Sequence, residues 1–230
     1  MERPETDLIT TEVPLSDGRV AVMAEPMGGA DMLLQGFGED DRENVKITVK
    51  YVQATCQTLN GEPADFDAIA ALGRTDRHLM LKRNRQAVFG DEVKFELTCP
   101  YDPKTKTGCG GGGDVVIDLA TIPEKPADGA LLNSTHETMG EIVCKPINMA
   151  VEQEMQNVDE ETDTLAMRIM TVDGKPFISM KMWRTRQNKV FRNLLERLDG
   201  NPGLVTTVKC PTCGKAHRVS MLTVPDFFGV

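Results

Sequence analysis

The chain has 230 residues, of which 40% are hydrophobic and 27% are charged, so it can bury a core and global disorder is excluded. Its 26 basic and 35 acidic residues give a net charge of −9, which gives no support to nucleic acid as a partner. No stretch approaches the roughly 20 apolar residues of a membrane span, and the N-terminus lacks the pattern of a secretory signal. We therefore expect a soluble, cytosolic protein without a membrane partner.

The first part of the chain predicts a strand-bearing arm and then a helical region. The arm, residues 1–40, carries one short strand or hairpin arm at about 19–24. The helical region, residues 41–90, opens with a helix over about 41–58, because acidic residues begin it and apolar residues repeat at helical spacing. Asn60-Gly61 is expected to end this helix, and a pair of helices then follows.

A hairpin with cysteines at its tip is predicted over residues 91–122. Its two strands are expected at 93–100 and 114–122, and the tip of the hairpin carries Cys99 and Cys109. Four consecutive glycines follow the second cysteine. No Gly-Lys-Ser/Thr follows them, so they predict a flexible edge of the loop rather than a phosphate-binding turn.

The segment from 123 to 204 predicts an inserted β/α layer. Short strands are expected around 141–147 and 176–183. Between them, the acidic stretch 152–163 favours a solvated helix or loop. The clearest helix in the chain follows Thr185 as its N-cap, with an apolar stripe on one face and basic residues on the other.

The last segment, residues 205–230, repeats the order of the first hairpin: strand, Cys-Pro, turn, Cys-Gly and returning strand. Cys210 and Cys213 are separated by two residues, which is the spacing of a zinc knuckle. Two adjacent aromatic residues, Phe227 and Phe228, lie in the tail that follows.

Two such hairpins facing each other would supply four thiolates in a tetrahedral array, which is a zinc ribbon. Without a secretion signal, a disulfide framework is a poor interpretation, because cytosolic thiols are kept reduced. The alternatives are two unrelated turns with free thiols, or an iron–sulfur cluster on the same ligands. Four cysteines leave no open coordination position, so such a zinc ion is structural. The predicted ligands are Cys99, Cys109, Cys210 and Cys213.

The other cysteines, Cys56 and Cys144, are predicted to be small buried hydrophobic residues. The sequence contains no Gly-x-Ser-x-Gly, no His-Glu-x-x-His and no convincing carboxylate pair, so we expect no enzymatic activity. The predicted fold class is α+β: a helical region plus β-hairpins that close a four-cysteine zinc ribbon, with a β/α segment inserted between the two knuckles.

Three motifs, taken in order, resemble those of the baseplate-hub assembly proteins of contractile-tailed, T-even-type phages. The first is LGRTDRHLMLKRNRQAVFGDEV, in which Asp76-Arg77 and Phe89-Gly90 match that family's DR…LL…R…FG stretch. The first knuckle, VKFELTCP…GCGGGGDVVIDL, follows directly. The second knuckle, VKCPTCGKAHRVSML, leads into the terminal Asp-Phe-Phe-Gly. The resemblance runs with gaps from about residue 40 to the end, and the long gap between Cys99 and Cys109 departs from it.

This resemblance implies a role in phage tail morphogenesis, as a baseplate hub assembly factor or as a hub-associated structural component. The protein would then act by binding baseplate hub and tail proteins rather than by chemistry. It would work in the host cytoplasm during assembly, either leaving as a chaperone or remaining in the virion.

Three regions are candidate contact surfaces for such partners. They are the basic helix face with Arg186, Lys189 and Arg192, the acidic segment, and the Phe227-Phe228 tail, which either anchors a partner or packs against the ribbon. The competing function is a nucleic-acid-binding zinc-ribbon accessory factor, in which the basic helix contacts phosphates. The net charge of −9 and the 5% aromatic content argue against it.

Overall fold

The computed structural model describes residues 8–27, 29–34, 41–101, 108–157 and 166–229. Helices and antiparallel strands alternate along these residues, which confirms the predicted α+β class. The helices are α1 (Ala30–Leu34), α2 (Asp41–Thr55), α3 (Phe66–Ala71), α4 (Arg74–Phe89), α5 (Met149–Met155) and α6 (Thr185–Asp199). The strands are β1 (Thr10–Pro14), β2 (Val20–Ala24), β3 (Cys56–Leu59), β4 (Glu62–Pro63), β5 (Glu92–Thr98), β6 (Gly112–Asp118), β7 (Asn133–His136), β8 (Gly140–Cys144), β9 (Ile169–Val172), β10 (Lys175–Pro176), β11 (Val205–Lys209) and β12 (Ala216–Ser220). Of the helices described, none has the length and apolar character needed to cross a membrane.

The first sheet contains β1 to β4, paired in sequence order. The strand predicted at 19–24 is confirmed as β2, which forms a hairpin with β1. Helix α2 ends at Thr55, earlier than predicted, because the next four residues leave the helix and pair with β2 as strand β3. Asn60-Gly61, predicted to end that helix, forms the turn between β3 and β4, with φ angles of 56° and 86°.

The predicted pair of helices after this sheet is confirmed as α3 and α4. Gly73 is the N-cap of α4, so Thr75 and Asp76 lie in the first turn of the helix and do not cap it. The carboxylate of Asp76 instead accepts hydrogen bonds from the backbone N–H and the hydroxyl of Ser16, at 3.0 and 2.8 Å. The start of α4 is therefore tied to the turn between β1 and β2.

The second sheet contains β7 to β10 and packs against α6. The strand predicted around 141–147 is confirmed as β8. The strand predicted over 176–183 is wrong beyond Pro176, since the chain continues as an irregular segment and a short 3-10 turn. The aromatic rings of this segment pack together, and its backbone does not continue the strand. Phe177 and Trp183 stack with centroids 5.8 Å apart, and both contact Phe191 edge-on at 5.3 Å.

Helix α6 confirms the predicted apolar stripe, because Phe191, Leu195 and Leu198 are all buried in the core beneath the second sheet. The predicted cap is displaced by one position, since Arg184 is the N-cap and Thr185 is the first helical residue. The backbone N–H of the N-cap residue donates to the side chain of Gln187 at 3.0 Å, which satisfies one backbone donor at the start of the helix.

In both four-stranded sheets, the strands pair with each other in the same register. In each sheet the third strand pairs with the second through the same irregularity, between Val22 and Met23 in the first and between Val143 and Cys144 in the second. Their last turns also match in sequence, TLNGEP and TVDGKP, and both have a non-glycine residue with positive φ before the glycine. The second sheet therefore repeats the first in detail.

The repetition continues beyond the sheets. Each sheet is followed by a long helix that starts at an Arg-Thr pair, at Arg74 in α4 and at Arg184 in α6. A two-cysteine hairpin and a 3-10 turn then follow in both halves. We define residues 8–122 as the first unit and residues 129–229 as the second unit. The stretch predicted to be an insertion is thus the start of a second unit, in which the described sheet, long helix and cysteine hairpin follow the same order as in the first.

The two units do not keep separate cores. The larger core contains the first sheet, α2 to α4 and buried residues of both cysteine hairpins, whereas the smaller one lies between the second sheet and α6. Cys56 is buried in the larger core and Cys144 in the smaller one, which confirms their predicted burial. The cysteine hairpin of the second unit therefore packs with the first unit.

Candidate metal centre

The four predicted metal ligands lie at the ends of two hairpins. Cys99 follows β5 and Cys109 precedes β6, while Cys210 follows β11 and Cys213 precedes β12. The structure brings the four sulfur atoms together, and all of them lie within 4.8 Å of one another. The two cysteine pairs are more than 100 residues apart in the chain, so only the tertiary structure unites them.

The spacing of the sulfurs fits a single metal ion. The Sγ atoms of Cys99 and Cys213 are 3.7 Å apart, and those of Cys109 and Cys210 are 3.8 Å apart. A tetrahedral zinc ion with Zn–S bonds of about 2.3 Å places its sulfurs about 3.8 Å from one another. A disulfide needs about 2.05 Å, and the cysteines are free thiols. The four side chains therefore have the chemistry and the separation that one tetrahedral thiophilic ion requires.

Backbone hydrogen bonds hold the first pair of cysteines in place. The N–H of Cys99 donates to the carbonyl of Gly111 at 2.7 Å, and the N–H of Gly110 donates back to the carbonyl of Cys99 at 3.0 Å. The N–H of Gly111 also donates to the sulfur of Cys109 at 3.4 Å. These bonds fix the β5–β6 end although residues 102–107 of its loop lie outside the described residues.

The glycines after Cys109 belong to this ordered framework, so their prediction as a flexible edge is wrong. Gly112 and Gly113 pair with Thr98 and Leu97 in the strand ladder. A Cβ atom on Gly112 would lie 1.9 Å from the carbonyl oxygen of Leu97, so no larger residue fits without separating the strands. The run of glycines therefore allows close approach of two backbones beside the four cysteines.

The second pair is held by the same kind of turn, and the two turns touch. The N–H of Cys210 donates to the carbonyl of Lys215, and the N–H of Gly214 donates to the carbonyl of Cys210, both at 2.8 Å. Across the site, the hydroxyl of Thr212 donates to the carbonyl of Gly112 at 2.9 Å. The two hairpins are thus joined by direct hydrogen bonding as well as by the facing sulfurs.

The thiols differ in how readily they ionise. The N–H of Cys213 donates to the sulfur of Cys210 and, with the N–H of Thr212, lowers the pKa of Cys210 to about 6. Although the N–H of Gly111 favours its thiolate, burial and the other three thiols raise the pKa of Cys109 to about 11. Burial likewise raises the pKa of Cys99. Four adjacent thiols do not all lose their protons easily, because the thiolates would repel one another. A bound metal cation removes this repulsion and stabilises the four thiolates.

The histidine nearest to this site in sequence is not one of its ligands. His217 lies opposite Val208 in the β11–β12 ladder, and no ring nitrogen of it lies in the group of close ligand atoms. Its Nε2 is buried and lacks a hydrogen-bond partner within the described part of the chain.

The predicted partner residues have different surroundings. Arg186, Lys189 and Arg192 are exposed on α6, as their prediction as a surface requires. Phe227 and Phe228 are 1% and 8% exposed, so the alternative in which they form an exposed anchor is wrong. Phe228 packs edge-on against Tyr51 with centroids 5.3 Å apart, and the tail is part of the larger core.

The acidic segment also differs from its prediction where the structure describes it. Glu152, predicted to be solvated, has a side chain that is only 11% exposed and pairs with the guanidinium of Arg77, which is 1% exposed. Residues 158–163 of this segment lie outside the described residues. The prediction of a purely solvated acidic stretch is therefore wrong for its first turn.

Sequence patterns also missed two other buried ion pairs. Lys82 is 1% exposed, and its ammonium lies 2.6 Å from Glu124. Arg168 is 2% exposed and donates to both carboxylate oxygens of Asp199. The only sequence signal is a basic residue among apolar neighbours, which is equally typical of a solvated face. Long-range pairing of this kind has no local pattern.

Comparisons of the chain with protein-family models, with curated proteins and with solved structures find no match. The resemblance to phage baseplate-hub assembly proteins therefore remains a prediction that depends on the order of its motifs.

Proposed function

We propose that the four cysteines bind one structural zinc ion, and that the protein is a non-enzymatic assembly factor of the phage tail baseplate hub that acts by binding other proteins. The proposal of a zinc site is supported by the separation of the sulfurs, 3.7 and 3.8 Å across the site. The proposal of an assembly factor is supported by the order along the chain of the three motifs that resemble those of phage baseplate-hub assembly proteins.

Zinc is favoured over an iron–sulfur cluster by the size of the site. A cluster places several iron and sulfide atoms between its cysteine ligands, which pushes their sulfurs apart. Here all four sulfurs lie within 4.8 Å, which leaves room for one ion. Because four thiolates complete a tetrahedral shell, the ion has no open position for substrate or water, and its role is to link the two units.

The metal part is tested by elemental analysis of protein purified without added metal. We expect about one zinc per chain, as for a closed four-cysteine site. Replacing Cys210 and Cys213 together by serine, or Cys99 and Cys109 together by serine, should abolish zinc binding. The buried Cys56, which lies outside the cluster, provides the matched control as Cys56→Ala. Zinc content that survives the loss of either pair would refute the shared site, and iron in place of zinc would refute the choice of metal.

The assembly part is tested by affinity purification from infected cells, with mass spectrometry of the proteins recovered and of finished particles. Recovery of hub and tail proteins supports an assembly factor, and presence in finished particles makes it a retained component. Recovery of nucleic acid or polymerase without tail proteins would contradict the proposal.

The exposed basic residues on α6 support the second candidate, a nucleic-acid-binding accessory factor. Arg186, Lys189 and Arg192 lie on the outer side of that helix. Binding through them would weaken steeply with added salt, because phosphate contacts release counterions. A protein that binds neither DNA nor RNA at low salt would exclude this candidate.

A further inference from the structure

The connection between the sheet and the long helix carries buried apolar side chains in the first unit and exposed ones in the second. In the first unit, residues 64–73 join β4 to α4 and include α3, whose Ile69 and the following Leu72 are 0% and 1% exposed. In the second unit, residues 177–184 join β10 to α6 at the equivalent place. There Ile178 and Met182 are 75% and 71% exposed, among the highest values for large apolar side chains.

The first connection is covered by a helix from the other unit. Helix α5, which belongs to the second unit, packs on α2 and α3. Its Glu152 pairs with the buried Arg77 and lies 3.8 Å from Arg74 at the start of α4. Just before α5, the carbonyl of Ile147 accepts a hydrogen bond from the N–H of Arg74 at 2.6 Å. An apolar and acidic helix thus covers the first connection.

The second connection has no such cover among the described elements. The helix equivalent to α5 in the first unit is α1, and it packs on α2 within its own unit, with Ala30 in the larger core. The apolar side chains of Ile178 and Met182 consequently face outwards beside the half-buried Phe177–Trp183 stack. The hydrogen bond from the N–H of Met182 to the carbonyl of Ser179, at 3.3 Å, folds this connection into a tight turn. Ile178 directly precedes this turn, and Met182 ends it.

The charged side chains of this connection and of the first part of α6 are all basic. No acidic residue occurs between Asp173 and Glu196, whereas six basic residues do. Among them, Arg184 occupies the place that Arg74 has in the first unit, and it is exposed. An apolar surface with a cationic rim is complementary to a segment with apolar side chains and carboxylates.

We propose that the connection at residues 177–184 binds a short amphipathic helix of a partner protein, with apolar side chains on Ile178 and Met182 and a carboxylate on Arg184. The partner helix would occupy the position that α5 occupies on the first unit. This inference rests on the proposed protein-binding role and assigns a surface to it. It does not depend on the bound metal or on which hub protein supplies the helix.

Tryptophan fluorescence can report binding at this site. Trp183 is the single tryptophan of the chain, so tryptophan emission reports this connection alone. The probe is a capped peptide of residues 145–157, which copies α5, and its matched control replaces Glu152 and Glu154 by lysine in the peptide. The native α5 already packs on the first unit, so we expect the added peptide to bind at the second connection.

We expect a saturable change in Trp183 emission with the acidic peptide up to millimolar concentration. Ile178→Asp and Met182→Asp should each weaken binding at least about tenfold. Arg184→Glu should weaken it several-fold and reduce its salt dependence. Val116→Asp provides the control, since Val116 is a 57% exposed apolar residue on β6 and should bind as wild type. Circular dichroism of each variant separates loss of binding from loss of fold.

Several results would overturn the proposal. They are the absence of a saturable change, equal binding of the lysine peptide, or a larger response to a single-stranded oligonucleotide than to the acidic peptide. Emission that depends on protein concentration, with dimers in solution, would assign the surface to a second copy of this chain instead. The assay contains no phage component, so it fails separately from the assembly proposal.

Discussion

The guanidinium of Arg168 donates to both carboxylate oxygens of Asp199, at 2.9 and 2.6 Å, in a site where the arginine is only 2% exposed. Arg168 directly precedes β9, and Asp199 is the last residue of α6. The Nε of Arg168 also donates to the carbonyl of Lys145 at 2.9 Å. This pair therefore fixes the end of the helix against the second sheet, and its positive charge suits the C-terminal end of a helix.

Asp199→Asn should strongly destabilise the protein, because it leaves the charge of Arg168 buried without a counter-ion. We expect the free energy of unfolding to fall by about 3–5 kcal/mol. The matched control is Asp128→Asn, which breaks an exposed pair with Arg197 at 3.5 Å. That change should cost less than about 1 kcal/mol. Urea denaturation measures both, and equal losses would contradict the structural role of the buried pair.

Phe228→Ala should act on stability rather than on partner capture. The ring is 8% exposed and packs against Tyr51 and Phe227 in the larger core. Truncating such a ring leaves a cavity and costs about 3–5 kcal/mol. Thermal unfolding gives the stability, and partner binding is compared at a temperature where both proteins are folded. Reduced partner binding by a variant of unchanged stability would restore the tail as a contact surface.

Gly112→Ala should weaken metal binding although glycine is not a ligand. Its Cβ would lie 1.9 Å from the carbonyl oxygen of Leu97, so β5 and β6 must separate beside Cys99 and Cys109. Strain of this kind costs about 1–3 kcal/mol. Competition with a zinc chelator measures the change in affinity. Gly29→Ala, whose Cβ would meet nothing within 4 Å, is the control. Equal zinc affinity in both variants would refute the strand-separation argument.

The stability of the protein should decrease in acid because of His78. Burial, together with the charges of Arg74 and Arg77, lowers the pKa of His78 from 6.5 to about 3. The unfolded chain then binds a proton below pH 6.5 that the folded protein does not bind until about pH 3. Stability is therefore fully present above pH 6.5 and is lost as the pH falls towards 3, by up to about 1.4 kcal/mol per pH unit.

His78→Gln tests this pH dependence because glutamine does not titrate. The free energy of unfolding of the variant, measured by urea denaturation at several pH values, should fall less steeply between pH 6.5 and 3 than that of the wild type. Equal slopes for the two proteins would show that other groups dominate the acid sensitivity.

Several features of the fold could be predicted from local sequence. The stripe of Phe191, Leu194, Leu195 and Leu198 predicts one face of α6, because a helix brings residues three and four apart to the same side. The Cys-Pro and Cys-Gly turns predict hairpin ends for a similar reason, since turn geometry depends on a few adjacent residues. Burial of Cys56 and Cys144 follows from the side chain itself.

Predictions failed where distant residues compete with local preference. Helix α2 stops at Thr55, although apolar spacing continues, because Cys56, Thr58 and Leu59 pair with β2 instead. The segment at 177–183 has strand propensity, yet the rings of Phe177, Trp183 and Phe191 pack together instead of extending a ladder.

The sequence by itself determined which residues can bind a metal, because four cysteines in two Cys-Pro and Cys-Gly turns carry that chemistry wherever they lie. Only the tertiary structure decided that the four sulfurs meet within 4.8 Å, that Phe227 and Phe228 are buried, and that residues 129–204 belong to a second unit. Turns and helix faces depend on near neighbours in the chain. The meeting of the four sulfurs, the burial of the two phenylalanines and the buried ion pairs depend on contacts between residues far apart in sequence, which no local pattern specifies.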